Sequence, residues 1–100
     1  MDIEEKIRQE LIDLDCPFKD RVFTYWTELL VAEFYETFKT PKMKKRYEWL
    51  AKKYNTTAGA IERVLIRGKS KMITRITEKY GIKTKITNES VVLLFKLKIF

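Results

Sequence analysis

Between Ala58 and Arg67 the chain sets, at helical spacing, side chains whose chemistry matches the edges of base pairs. Arg63 can present two parallel N–H donors to guanine O6 and N7, Glu62 can accept from cytosine N4, and Ile66 can touch a thymine methyl. Gly59 and Ala60 are small enough to let a helix N-terminus come close to a groove, and Arg67 follows Arg63 by one turn. Donors suited to phosphate surround them: Lys44, Lys45, Lys52, Lys53, Lys69 and Lys71 as cations, and Asn55, Thr56 and Thr57 as short polar side chains beside a helix start. The bland alternative for Glu62 is an exposed charge in a surface pair, worth under about 1 kcal/mol.

Such side chains read a duplex only from a rigid, well-packed helix, and the surrounding sequence supplies one. Tyr47–Arg67 has the layout of a helix-turn-helix, with the whole unit spanning about residues 43–67. Leu50, Ala51 and Tyr54 share one face of the first helix, and Ile61, Val64 and Leu65 share one face of the second. Ala51 is small where the two would cross. Asn55 suits the left-handed conformation that ends helices, and Thr56 or Thr57 can cap the next.

Charge is segregated along the chain. Residues 1–40 hold ten acids against five bases, whereas residues 41–100 hold sixteen bases against four acids. A basic half that contains the expected helix pair suits a phosphate-facing surface; an anionic membrane surface or an acidic protein is the alternative for charge alone. One hundred residues with 45% hydrophobic content make one domain, 1–100, with a core that needs no disulfide. A single cysteine, Cys16, and no histidine leave no expected metal site or cofactor. With no glycine-rich phosphate loop and no carboxylate pair among apolar residues, neither an enzyme nor a small-molecule substrate is expected. The acidic start is unlike a signal peptide, and no apolar run approaches the ~20 residues of a membrane span. A cytoplasmic protein is the expectation.

In chain order, residues 2–15 predict a helix bearing Ile3, Ile7, Leu11 and Leu14, stopped by Pro17. Residues 18–38 predict a central core helix whose aromatic residues Phe23, Tyr35 and Phe38 pack on neighbours or face a partner. Thr40-Pro41 predicts the start of a third helix, with Lys42, Lys44, Lys45 and Arg46 as its solvated or DNA-facing opening. A fourth, from Ala58, ends at Gly68; a fifth, capped by Ser70, turns Met72, Ile73, Ile76 and Tyr80 inward and stops at Gly81. After a basic stretch at 82–86 comes an apolar tail to Phe100, whose periodicity fits strand and helix alike. The fold class is all-α, a compact bundle of about six helices.

LAKKYNTTAGAIERVL, residues 50–65, closely resembles the helix-turn-helix of the C-terminal effector domain of the sporulation response regulator, stage 0 sporulation protein A. The region Pro17–Trp26, the Gly81 helix end and KITNESVV at 85–92 are similar in layout. The resemblance implies a helical tail, and a regulator of transcription that binds double-stranded DNA, often as tandem copies touching one another. It implies base contacts by Glu62 and Arg63, whereas the family's next arginine is Ile66 here and its histidine is Arg67. Residues 1–40 belong to the effector layout, so regulation through a phosphoacceptor receiver domain is not carried over. The alternative is an interaction module of the same fold that binds or antagonises a full-length regulator without reading DNA.

Overall fold

The structure, a computed structural model, describes residues 2–18 and 21–100. Five helices follow one another: α1 Ile3–Asp13, α2 Val22–Phe34, α3 Met43–Lys53, α4 Ala58–Tyr80 and α5 Asn88–Lys98. Among the described residues there is no strand, and no helix is long and apolar enough to cross a membrane.

α1 begins where Asp2 accepts a bond from Glu5 N–H at 2.8 Å, with Glu4 and Glu5 in the first turn where the helix dipole favours them. It buries Ile7 and Leu11 against α2. α2 is the hub, burying Val22, Tyr25, Trp26, Leu29 and Leu30 and packing on all four other helices. Each large side chain taken fully out of water contributes about 1.5–3 kcal/mol, which makes this helix the main source of cohesion. The expected span 18–38 is trimmed at both ends. Its part at Lys19 and Asp20 lies outside the described residues, and the chain leaves the helix after Phe34, with Glu36 at φ 55°. Phe23 and Phe38 pack against the core, whereas Tyr35 faces solvent.

Thr40 and Pro41, expected as cap and first helical residue, precede α3 instead. Lys42 holds the cap position without a side-chain bond, and Thr40 Oγ1 accepts from Lys42 N–H at 3.3 Å. The entry is fixed from inside by Arg46, which donates to the carbonyls of Thr40 at 2.6 Å and Lys42 at 3.0 Å. Trp49 is half-buried, edge-on to Phe38 at 5.5 Å.

The largest correction concerns Gly68, which does not end a helix: α4 runs through it for 23 residues, merging the expected fourth and fifth helices. A Cβ at Gly68 would lie 2.4 Å from Val22 Cγ1 and 3.0 Å from Trp26 Nε1, so this glycine lets α2 press against α4. Ser70 caps nothing; its hydroxyl donates to Ile66 O at 2.9 Å, one turn back. Met72 and Ile76 are buried as expected, but Ile73 is exposed. Gly81, at φ 66°, ends α4 in the left-handed conformation. The tail is a helix, opened by a capping box in which Thr87 and Ser90 each bond the other's backbone N–H. Val91, Val92, Leu94 and Phe95 are its buried residues, and all five helices feed one core.

Candidate nucleic-acid interface

The connection between α3 and α4 follows its local chemistry. Asn55 adopts φ 52°, Thr56 N–H bonds Ala51 O at 2.9 Å, and Thr57 Oγ1 accepts from Ala60 N–H at 3.1 Å. Leu50, Ala51, Ile61 and Leu65 are buried, fixing the two helices against each other. Trp26 adds a lock from behind, donating from its indole N–H to Leu65 O at 3.2 Å. The outward face is thereby set: Gly59, Glu62, Arg63, Ile66 and Arg67 are exposed and Ala60 is half-buried. Ile66 retains 42% of its surface, an apolar side chain left in water. A Cβ at Gly59 would meet only Arg63 Nη1, at 3.6 Å, so packing does not require glycine there.

Two clefts share Met43, Tyr47 and Glu62 and form a trough beside this face. One, of about 470 Å³, adds Lys44, Ala58 and Gly59; the other, of about 310 Å³, adds Ile66, Lys69 and the start of α5. Tyr47 joins the walls, its hydroxyl accepting from Asn88 Nδ2 at 3.2 Å, and its own ionisation is pushed upward mainly by burial.

The expected phosphate donors divide into two groups. Lys44, Lys52, Lys69 and Lys71 have no carboxylate within 4.0 Å among the described residues, and Asn55, Thr56 and Thr57 are exposed at the turn. Lys45 makes an exposed pair with Glu48 at 3.6 Å. Lys53 is drawn away: it pairs with Glu28 of α2 at 2.8 Å and lines a separate groove of about 400 Å³ among α1, α2 and α3. Tyr54 hydroxyl donates to the same Glu28, and burial followed by that bond pushes its pKa up to about 12.

Arg46 departs furthest from the sequence expectation. Rather than joining a solvated basic opening, it is buried against Glu33 of α2, with Nη2 donating to Oε1 at 3.1 Å and Nε to Oε2, while its guanidinium lies over Phe38 at 4.7 Å. Lys96 of α5 approaches the same carboxylate at 3.3 Å. Cys16 is buried, and loss of hydration raises its thiol pKa to about 12, so it stays protonated.

Nothing in the local sequence signals the Arg46–Glu33 pair, which spans thirteen residues, or places Lys85 beside Ile66. No protein-family model, curated protein or solved structure matches the chain.

Proposed function

We propose that the chain is a sequence-specific double-stranded DNA-binding transcription regulator, with α3 and α4 acting as a helix-turn-helix and Ala58–Arg67 entering the major groove. The likeness of residues 50–65 to the sporulation regulator's effector domain supports this assignment, and with it a cytoplasmic, nucleoid-bound protein. The observation that carries the reading is the distribution of unpaired charge. On α3 and α4, Lys44, Lys52, Arg63, Arg67, Lys69 and Lys71 have no carboxylate within 4.0 Å among the described residues, while Arg46, Lys53, Arg75, Lys79 and Lys96 are held by acids of the first 40 residues. Cations left without acids beside a groove-sized helix are available to phosphate.

Five or six phosphate contacts should make log affinity fall with log salt at a slope of roughly −5. Arg63→Ala should cost about 1–3 kcal/mol on the preferred site and relax choice at one base pair. Binding titrations on selected and random duplexes check both; equal losses on the two would make Arg63 a phosphate contact only. Exposed Ile66 favours a second reading, in which the same face docks on a full-length regulator or another protein. Co-purification without retention of any DNA fragment would select it.

A further inference from the structure

We infer that the loop between α4 and α5 is a second phosphate-binding element, with Lys83 and Lys85 as its contacting groups, so that a duplex is gripped on both sides of the exposed start of α4. The inference rests on the DNA-binding reading above. Glu62, Ile66 and Lys69, at spacings of four and three residues, form one stripe of α4 and one wall of the 310 Å³ cleft. Lys85, Thr87, Asn88 and Glu89 stand on the other side, so the loop flanks the very stripe proposed to meet base edges.

The loop is anchored rather than free. Gly81 turns the chain sharply out of α4, Ile82 packs on the core, Ile86 is buried, and the Asn88–Tyr47 bond ties the start of α5 to α3. A cation on so constrained a segment gives up less conformational freedom on binding than one on a loose arm. Lys83 and Lys85 are exposed and have no carboxylate within 4.0 Å among the described residues. Lys85 shares the cleft with Lys69, and the opposing charges there are Glu62 and Glu89. A base edge can satisfy Glu62, whereas Glu89 can only repel a phosphate seated by Lys85. Glu89 therefore weakens the grip that its neighbour provides.

The test is anisotropy titration of a random-sequence duplex over a range of salt, with the Lys83→Ala/Lys85→Ala double variant. The slope of log affinity against log salt should become shallower by about 1.8, near 0.9 per lysine, so the affinity drop between 50 and 200 mM salt shrinks roughly tenfold. Lys6→Ala, at an exposed position of α1, should leave the slope as it is. Glu89→Gln should tighten binding although it lowers the melting temperature slightly by taking an acid from the first turn of α5, and this readout does not depend on the double variant folding. Wild-type slope in the double variant, or unchanged affinity for Glu89→Gln, overturns the loop contact while salt-dependent binding by the wild type keeps the DNA reading. Loss of salt dependence in the wild type overturns both.

Discussion

The two halves of α4 are built for opposite purposes. From Ala58 to Arg67 the outward charges, Glu62, Arg63 and Arg67, are tied to no other helix among the described residues. From Arg75 to Tyr80 the polar groups are clamped to α1 and the turn after it: Lys79 meets Glu10 at 2.9 Å and Asp13 at 2.6 Å, Arg75 meets Asp13 and Asp15, and Tyr80 hydroxyl donates to Glu10 at 2.6 Å. Gly68 lies between the halves, pressed by Val22 and Trp26. One uninterrupted helix thus fastens its C-terminal end to the acidic part of the chain and presents its N-terminal end unencumbered. Sequence segregation of charge serves cohesion as well as presentation.

Substituting the two helical glycines should break this comparison most sharply. Gly68→Ala adds helix propensity of about 1 kcal/mol but forces a Cβ into Val22 and the Trp26 indole, and overpacking of this kind costs about 1–3 kcal/mol or more. A net loss of stability in chemical denaturation is expected. Gly59→Ala, in the presenting half, meets only the far end of Arg63 and should stabilise the fold by about 0.4–1 kcal/mol. If the helix N-terminus approaches DNA closely, the same change weakens binding. Equal shifts in one direction from both glycines would show that the halves do not differ in packing.

A smaller effect should come from the clamp and should depend on pH. Hydrogen bonds to Asp13 and Glu10 raise the Lys79 pKa, and the Lys79 bond and charge lower that of Asp13. The Lys79 contribution is complete below its unfolded pKa near 10.5 and is lost as pH rises through the higher folded value; the Asp13 contribution is present above 3.8 and is lost as pH falls through the lower folded value. Lys79→Met should therefore melt below the wild type by a constant interval from about pH 5 to 9, an interval that narrows in acid below about pH 4. Both partners are substantially exposed, so the interval should be smaller than that for Gly68→Ala. An interval that widens in acid would contradict the assigned pairing.

These contrasts also explain what the sequence could and could not reveal. The turn at Asn55–Thr57 and the stop at Gly81 were legible because each is settled by the chemistry of two or three adjacent residues. Gly68 was not: a glycine that ends a helix and one that admits a neighbouring helix look alike until the neighbour is known. Nor was Arg46, which sits in a run of lysines but finds its partner on α2. The tail's sequence failed to separate strand from helix because Leu93 and Leu97, on the side away from buried Val91, Val92 and Phe95, are apolar yet exposed, which blurs the one-faced pattern. Of the candidate site, the α4 face was readable from spacing alone. The pairing of Lys53 with Glu28 spans 25 residues, and Lys85 reaches the cleft beside Ile66 from a separate loop beyond the end of α4.

The smallest expected effect on stability, and the most informative for function, is at Ile66. It is exposed, so Ile66→Arg should change folding stability by no more than about 0.5 kcal/mol. Glu62 lies one turn earlier on the same stripe, and an arginine at 66 can pair with it in the favourable order, acid before base. The new guanidinium then has two choices, Glu62 or a guanine edge. In a major groove the bidentate guanine contact competes well, since it is worth about 1–3 kcal/mol against a few tenths for the exposed helix pair. Site selection from random DNA should consequently shift toward guanine at one position. If instead Ile66 is the centre of a protein contact, the substitution puts a charge into an apolar interface, and association weakens by several kcal/mol while DNA preference stays put. Selection and self-association measured on the same pair of proteins separate the cases: an unchanged site with lost association removes Ile66 from the groove, and a guanine shift with association intact places it there.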